Sequence, residues 1–273
     1  MTYANRNHSP DNTPHDDHLE HTINAIARAL DSAQYVAIVT GAGVSAESNI
    51  PTFRDSMEGL WAKFDPQTLA TPEAFNDNPQ LVTRWYDHRR IGCLAAKPNP
   101  GHLALAKLEH ILTKRNATFV LLTQNVDGLH RRAGNQNVVE LHGSLNRWRC
   151  THTNQELEPH PQPFETFPPP SPFAEGAILR PAVVWFGEML PEHAIEAATH
   201  AANHADVFLS IGTSALVYPA AGFISAAASN GATTIEINQD DTPISQDVTH
   251  SIRARSGVLL PRIIERMQTT PNG

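Results

Sequence analysis

The chain has 273 residues, of which 40% are hydrophobic, and a formal net charge of −8 at pH 7. This length fits one α/β domain with an insertion, and the acidic balance argues against a nucleic-acid partner, which needs a concentrated basic surface. No apolar run approaches the roughly 18 residues of a membrane-spanning helix. Because Cys93 and Cys150 are the only cysteines, we expect a protein without disulfides in the reducing cytoplasm.

Residues 1–17 are polar and lack the apolar segment of a signal peptide. They bury too little to offset the entropy of ordering, so we expect a disordered N-terminal tail. Beyond them, apolar residues recur at helical spacing at Leu19, Ile23 and Leu30, which predicts an amphipathic helix. The folded domain is therefore expected to span residues 18–273.

Short apolar runs then alternate with helical stretches along most of the chain. The predicted buried strands are Tyr35–Thr40, Thr118–Leu122, Val138–Leu141, Asp206–Ile211 and Thr233–Ile237. The predicted helices between several of them are Gly101–Thr113, Glu192–Asn203 and Ala220–Ser229. Because strands that alternate with helices form βαβ units, we predict an α/β fold with a doubly wound, Rossmann-like parallel sheet.

One segment, residues 150–177, interrupts this alternation with seven prolines and almost no aliphatic run. Loops beyond about 12–15 residues are uncommon in compact domains unless they are functional or disordered. We therefore predict a small inserted module, flanked by strands at Asn146–Cys150 and Ala182–Phe186. The large domain is then expected at about 18–50, 100–145 and 188–273, and the inserted regions at about 51–99 and 146–187.

A glycine turn, GAGVSA at residues 41–46, follows the first predicted strand. Glycines at 41 and 43 let the main chain approach a diphosphate, and the following helix offers the positive end of its dipole. Alone, this pattern is equally an ordinary strand-to-helix turn. A dehydrogenase also needs an acid about 20 residues on, at the end of a second strand, and residues 55–61 do not read as a strand. A simple dehydrogenase-like binder is therefore disfavoured.

Five segments in a fixed order are more specific than the turn alone. They are GAGVSAESNIPTFR at 41–54, TQNVD at 123–127, LHGS at 141–144, VVWFGE at 183–188 and GTS at 212–214. Together they resemble the sirtuin family, and the resemblance covers about residues 20–265. It implies a large domain that binds NAD, a smaller module, and an acylated-lysine protein substrate in the cleft between them.

The resemblance also implies the roles of particular residues. His142 is the implied catalytic base, with Asn125 and Asp127 beside it, because a ribose hydroxyl must be deprotonated and an ordinary histidine pKa of about 6.5 suits that step. The implied NAD-binding residues are Gly41, Ala42, Gly43, Ser45, Phe53, Arg54, Gln124, Asn125, Asp127, Gly212, Thr213, Ser214, Asn238 and Ser256. The implied peptide-binding residues, which pair with the substrate as an added strand, are Val183, Val184, Trp185, Phe186, Gly187 and Glu188.

Tyr86 and Arg89 carry a finer signal within the segment WYDHRR at 85–90. Their spacing resembles that of the sirtuin subgroup that prefers succinyl-, malonyl- and glutaryl-lysine over acetyl-lysine. Residues three apart share a helix face, and a guanidinium can bind a distal carboxylate bidentately while a phenol adds one hydrogen bond. The alternative to an acyl-binding site is an ordinary helix surface that carries a tyrosine and an arginine by chance. Arg90, directly beside Arg89, shows that arginine is common in this segment.

The chain departs from the family at two places. Most sirtuins hold a structural zinc ion through two Cys-x-x-Cys pairs, whereas residues 150–153 read CTHT and no second pair precedes residue 179. We expect no metal, with prolines of fixed φ stabilising the segment instead. Asn49 stands where the family usually has glycine, and asparagine tolerates the left-handed conformation well.

Two other functions remain open from the sequence. One is a sirtuin-like protein ADP-ribosyltransferase, which the presence of His142 disfavours. The other is a catalytically weak module that binds NAD or acyl-lysine, which only the missing zinc cysteines favour. We expect no nucleic-acid or membrane partner, and the sequence leaves the oligomeric state open, a monomer included.

Overall fold

The computed structural model describes residues 14–52, 65–217 and 219–269. Within these ranges the strands are β1 (Tyr35–Thr40), β2 (Thr118–Thr123), β3 (Val138–Glu140), β4 (Gly143–Cys150), β5 (Glu156–Leu157), β6 (Leu179–Val183), β7 (Val207–Ile211), β8 (Thr233–Asn238) and β9 (His250–Arg253). The helices there are α1 (Pro14–Ser32), α2 (Ala42–Ala46), α3 (Pro66–Leu69), α4 (Pro72–Asp77), α5 (Pro79–Ala95), α6 (Pro100–Lys114), α7 (Leu129–Ala133), α8 (Glu192–His204), α9 (Gly222–Ser229) and α10 (Ser256–Thr269). None of these described helices is long and apolar enough to cross a membrane.

Six of the described strands form a parallel sheet in the order β3-β2-β1-β7-β8-β9. Its central strands β1, β2 and β7 are runs of buried residues, as expected of a parallel sheet covered on both faces. The predicted α/β fold with a Rossmann-like sheet is confirmed. Strand β9 was not predicted, because Ile252 is the one buried residue among its four.

Helices cover both faces of this sheet. Successive residues of a strand point to opposite faces, so Val36 and Ile38 of β1 pack with α1, α6 and α10, whereas Ala37 and Val39 pack with α8 and α9. Ile38 is fully buried, and truncating such a residue to alanine costs about 2–5 kcal/mol. These two apolar layers hold the carboxyl ends of the strands in a fixed arrangement.

The small inserted module has a sheet and an apolar core of its own. Its antiparallel strands lie in the order β5-β4-β6, and α5 packs on them through Trp85 and Tyr86, against Trp148 and Trp185. The helix begins where Asn78 caps it, its side chain accepting a hydrogen bond from the Leu81 amide at 3.0 Å. Helix α5 is thereby fixed against the strand that leads out of the module.

The second flanking strand of the module was predicted in the wrong place. The prediction was Ala182–Phe186, whereas β6 spans Leu179–Val183. The Val184 amide still donates to the His142 carbonyl at 2.9 Å, in register with the Gly143–Val183 pair, whereas the Phe186 amide donates outside the sheet, to the Ala70 carbonyl at 2.9 Å. Tertiary hydrogen bonds therefore end the strand, although its apolar pattern continues.

The first helix begins before the predicted domain start. Helix α1 starts at Pro14, so residues 14–17, which were expected to belong to the tail, are helical. The rest of that predicted tail, residues 1–13, lies outside the described residues.

Candidate active site

The loops that carry the predicted site residues leave neighbouring strands at one edge of the large sheet. Because β2, β1, β7 and β8 are adjacent and parallel, their carboxyl ends meet there. The strand order reverses between β1 and β7, and a crevice at such a switch point is where open α/β sheets bind ligands. The fold therefore brings residues 41–45, 124–127, 212–214 and 238 to one crevice.

Two glycine turns contact each other backbone to backbone in this crevice. The Gly43 amide donates to the Gly212 carbonyl at 2.8 Å, and a Cβ atom on Gly43 would lie 2.8 Å from the Gly212 Cα. Gly212 itself has a φ of 61°, which side chains adopt at a cost. From the sequence, glycine was expected at 41 and 43 so that the main chain could approach a diphosphate. The structure gives a second reason, because the two turns could not pack this closely if a side chain stood at Gly43 or Gly212.

A cleft beside these turns gathers several of the residues predicted to bind NAD. Gly43, Gly212, Asn238 and Ser256 line it, and Glu47, which was not predicted, lines it too. The Asn238 side chain donates to the Thr213 carbonyl at 2.9 Å. Thus β8 is tied to the loop after β7, where the predicted residues Thr213 and Ser214 lie.

Glu47 is a site residue that the sequence analysis missed, although it lies inside the GAGVSAESNIPTFR segment. Its carboxylate accepts hydrogen bonds from the Ser256 hydroxyl at 2.6 Å and from the Gly257 amide at 3.1 Å. A carboxylate at a helix N-terminus satisfies amides that lack partners within the helix. Glu47 therefore joins the glycine turn to the start of α10.

A buried polar network links the diphosphate turn to the segment after β2. The Ser45 hydroxyl donates to the Asp127 carboxylate at 2.7 Å, and the Asn125 side-chain amide donates to Ser45 at 3.0 Å and to the Gly41 carbonyl at 2.9 Å. Asp127 also accepts from the Leu129 amide at 2.8 Å. Four predicted site residues are therefore in direct contact, and buried polar groups bonded in this way are rigid.

The hydrogen bond of His142 fixes its tautomer. Its Nδ1 lies 3.0 Å from the Gln124 carbonyl oxygen, and because a carbonyl can only accept, Nδ1 carries the proton and Nε2 has the lone pair. Burial lowers the pKa of His142 below its ordinary value, although the Gln124 hydrogen bond opposes this effect. The side chain is therefore neutral at pH 7 and can accept a proton at Nε2.

Two further buried histidines lie behind the network and were not predicted. His130 Nε2 is 3.0 Å from the Thr40 hydroxyl, which donates to the Thr123 hydroxyl at 2.9 Å, and the Asn125 amide also donates to Thr123. The His102 ring lies 4.7 Å from that of His130. Burial lowers the pKa of His102 to about 4 and that of His130 to about 3, so both stay neutral and support the turn that carries Asn125.

Tyr86 and Arg89 share one face of α5, as predicted. The Arg89 guanidinium carbon lies 5.5 Å from the centre of the Tyr86 ring and 4.8 Å from that of Trp85, and Tyr86 packs 6.2 Å from Trp185. Burial raises the pKa of Tyr86 to about 12, so the phenol keeps its proton. This face therefore presents a cation and a hydrogen-bond donor next to the segment that leaves β6.

Cys93 connects that face with the polar network. Burial raises the pKa of its thiol to about 12, and the negative charge of Asp127 raises it further while the positive charge of Arg89 lowers it. Both charged groups therefore act on the same buried thiol.

The segment predicted to bind the substrate peptide is a braced turn rather than a strand. The Glu188 carboxylate accepts from Arg180 at 2.7 Å and from the Trp185 amide at 2.8 Å, and these bonds lower its pKa although burial opposes the shift. Phe186, one of the predicted contacts, is 48% exposed. The prediction that Val183–Phe186 forms a strand is thus wrong beyond Val183, because the amides of the next three residues are already bonded within the protein.

Comparison with known proteins places this geometry in a family. The Sir2 family model matches residues 41–219. The chain is 49% identical to an NAD-dependent protein deacylase of Thermus thermophilus over 226 residues, which are 83% of this chain and 87% of the relative. The chain belongs to the Sir2 family.

Solved structures agree with this assignment. A crystal structure of a Sir2 homologue–NAD complex matches the Sir2 chain described here with a TM-score of 0.82 at 40% identity, over 89% of this chain and 93% of that chain. A Sir2 structure with a deacetylated p53 peptide and 3′-O-acetyl-ADP-ribose matches with a TM-score of 0.75 at 27% identity, over 89% of this chain and 97% of that one. The predicted family and fold are confirmed.

The inserted module of this Sir2 chain does not fit a structural zinc ion. Cys150 is the one cysteine between residues 150 and 181, and its Sγ accepts a hydrogen bond from the His152 amide at 3.4 Å. Among the residues that the structure describes, no three His, Cys, Asp or Glu side chains are grouped as metal ligands would be. A structural zinc site takes four such ligands.

The remaining predictions concern the loop after α2. Asn49 has a φ of 61°, which confirms the left-handed backbone predicted for it. Phe53 and Arg54, the predicted residues of the cofactor loop, lie outside the described residues.

Proposed function

We propose that this Sir2 protein is an NAD-dependent protein-lysine deacylase that acts on succinyl-, malonyl- and glutaryl-lysine in preference to acetyl-lysine. The single observation that carries the reaction class is the neutral His142 imidazole, whose lone pair is fixed at Nε2 by the Gln124 carbonyl. The relatives named NAD-dependent protein deacylase support the cofactor and the reaction. The acyl preference depends on Tyr86 and Arg89.

The residues of the crevice fit NAD. The Gly41–Gly43 turn opens a helix at the switch point of the sheet, where amides and a helix dipole favour a diphosphate, and the cleft beside it offers the polar groups of Asn238 and Ser256. When bound, NAD would supply a ribose carbon activated by its nicotinamide leaving group. The side chains of this protein bind and orient the reactants and move the proton, and one water molecule is consumed when the deacylated lysine is released.

His142 acts as the general base in this proposal. Its Nε2 accepts the proton of a ribose hydroxyl, and the Gln124 carbonyl stabilises the imidazolium that results, because that carbonyl already accepts the Nδ1 proton. A positioned general base contributes about 10²–10⁴-fold to a rate. The hydrogen bond between the Val184 amide and the His142 carbonyl joins the base to the segment that leads to the substrate turn.

Asn125, Asp127 and Ser45 form the nicotinamide and ribose pocket in this proposal. Their mutual hydrogen bonds fix the carboxylate and the amide before the ligand arrives, so little orientational entropy is lost on binding. The His130–Thr40–Thr123 chain supports the same turn from behind. The pocket is therefore rigid where it rests on this chain of hydrogen bonds.

The acyl preference follows from the charge on α5. Arg89 lies over the rings of Trp85 and Tyr86, which hold its guanidinium in place, and a guanidinium bonds a carboxylate bidentately. The Tyr86 phenol stays protonated, since its pKa is about 12, and donates one more hydrogen bond. A neutral acetyl group offers these two side chains nothing to bind.

The substrate peptide is proposed to lie along the turn from Val184 to Glu188. Arg180 and Glu188 brace this turn, and the exposed Phe186 and Met189 offer apolar contact to either side of an acylated lysine. Main-chain contacts select little among peptide sequences. The enzyme should therefore act on many lysines that carry the right acyl group.

Incubation with NAD and matched acetyl-, succinyl- and glutaryl-lysine peptides, followed by mass spectrometry, tests this function. We expect free nicotinamide, deacylated peptide and acyl-ADP-ribose in equal amounts, with the acidic acyl groups removed fastest. Nicotinamide release with a stable ADP-ribosylated protein would instead support the transferase alternative. Binding of NAD without any of these products would support a binding module.

A further inference from the structure

We propose that the buried ion pair between Asp87 and Arg90 is a specificity-determining positioning device. It fastens the proline-rich segment to α5 without a metal ion, and it thereby sets the rotation of the helix face that carries Tyr86 and Arg89. The second half of this inference rests on the proposed acyl preference, whereas the first half can be tested without it.

The pair lies entirely inside the protein. Arg90 donates from Nε and Nη2 to the Asp87 Oδ1 at 2.9 and 2.7 Å, and the two side chains are 1% and 2% exposed. An isolated buried charge is very unfavourable, and replacing such a pair by apolar residues is often neutral or stabilising. Stability alone is therefore a poor reason for its presence, and its other contacts indicate what it does.

Both members of the pair bind the backbone of the proline-rich segment. Arg90 donates from Nη1 to the His160 carbonyl at 2.9 Å and from Nη2 to the Gln162 carbonyl at 2.7 Å. The other carboxylate oxygen of Asp87 accepts from the Phe164 amide at 3.0 Å. One ion pair thus fixes three backbone groups about 70 residues away in the chain.

Aromatic contacts complete the attachment. The Arg90 guanidinium carbon lies 5.3 Å from the centre of the Phe164 ring, and that ring packs edge-on against Trp148 at 4.8 Å. Trp148 belongs to β4, the central strand of the small sheet. Helix α5, the proline-rich segment and the small sheet are therefore joined at one point, in a module whose residues do not fit a structural zinc ion.

Helix geometry couples this attachment to the acyl-binding face. Asp87 directly follows Tyr86, and Arg90 directly follows Arg89. Each pair, Tyr86–Arg89 and Asp87–Arg90, is therefore spaced three residues apart, and the two pairs point about 100° apart around the helix axis. A rotation or shift of α5 that breaks one pair of contacts displaces the other. The Asp87–Arg90 pair therefore controls where Arg89 meets the acyl carboxylate, although it does not touch the substrate.

Substitution on α5 tests the inference, with the ratio of desuccinylation to deacetylation as the readout. We expect Arg90→Met to lower this ratio at least about 10-fold, mainly through a raised KM for the succinyl peptide, with KM for NAD within about twofold of the wild type. Asp87→Asn keeps an oxygen for the Phe164 amide but loses the charge, so its ratio should lie in between. Arg28→Met, which removes an exposed arginine of α1 in the large domain, should leave the ratio unchanged.

A purely structural role would lower both activities and the melting temperature together, with the ratio unchanged in both Arg90→Met and Asp87→Asn, and that outcome would overturn the proposal. If Arg90→Met does not fold, Asp87→Asn decides. For the attachment itself, limited proteolysis should cut residues 150–177 faster in either variant than in the wild type. Stoichiometric zinc in tag-free protein, with a chelator lowering the melting temperature, would also refute it.

The two proposals fail in different ways. Absence of any deacylation by the wild-type protein refutes the proposed function, while the proteolysis and chelator experiments still report on the attachment. Deacylation by the wild type with an unchanged ratio in the variants refutes the positioning role alone.

Discussion

Replacing Arg89 by methionine removes the positive charge of the acyl-binding face while keeping most of the length of the side chain. The Arg89 guanidinium carbon lies 4.8 Å from the Trp85 ring and 5.5 Å from the Tyr86 ring, so its position is already fixed before the substrate binds. A hydrogen-bonded contact to a charged group contributes about 1.5–3 kcal/mol. Since about 1.4 kcal/mol is a factor of ten, kcat/KM for a succinyl peptide should fall about 10- to 150-fold.

The matched measurement is kcat/KM for the same peptide carrying acetyl-lysine. We expect this value to stay within about threefold of the wild type, because an acetyl group has no carboxylate for Arg89 to bind. Arg28→Met, an exposed arginine on α1, controls for the loss of an arginine and should change neither value. Equal losses for both peptides in Arg89→Met would show that Arg89 supports the helix and does not read the acyl group.

Three more predictions follow from the burial of particular groups. Burial lowers the pKa of His142, and a general base must be neutral to accept a proton. A plot of kcat/KM against pH should therefore be flat near pH 7 and fall only as the pH drops through a midpoint below 6.5. A midpoint above pH 7 would contradict this assignment. Gly43→Ala should lower the free energy of unfolding in urea by about 1–3 kcal/mol and raise KM for NAD, because the new Cβ would lie 2.8 Å from the Gly212 backbone. Gly92→Ala is the control and should change neither quantity, because a Cβ at Gly92 meets nothing within 4 Å. Burial lowers the pKa of His102 to about 4 and that of His130 to about 3, so the free energy of unfolding should have its full value above pH 6.5 and decrease as pH falls toward those values. His130→Gln should flatten this dependence of the unfolding free energy on pH. An unchanged slope in that variant would count against the burial of a neutral His130.

The strands of the large sheet could be predicted because buried parallel strands are continuous apolar runs. The predicted limits of β1 agree with the structure, and those of β2, β7 and β8 agree to within one residue. The end of β6 could not be predicted, since it is the Phe186 amide that leaves the sheet, for the carbonyl of the distant Ala70. Contacts between residues so far apart in the chain leave no local pattern.

The site residues that occur within motifs could be predicted, whereas those that act through distant partners could not. Glu47 lies within a quoted motif, yet its partner Ser256 is 209 residues away. His130 is one of fifteen histidines, and its role appears only when the fold brings it to Thr40. Arg90 was noted only as a neighbour of Arg89, because its carbonyl partners lie 70 and 72 residues away.

The most direct test of the account is the turnover of His142→Ala with NAD and a succinyl-lysine peptide, followed by mass spectrometry beside an NAD-binding measurement. We predict that deacylated peptide forms about 10²–10⁴-fold more slowly than with the wild type, while the Kd for NAD changes little, since the Ser45–Asn125–Asp127 contacts do not involve His142. Wild-type turnover in this variant would show that the imidazole is not the base.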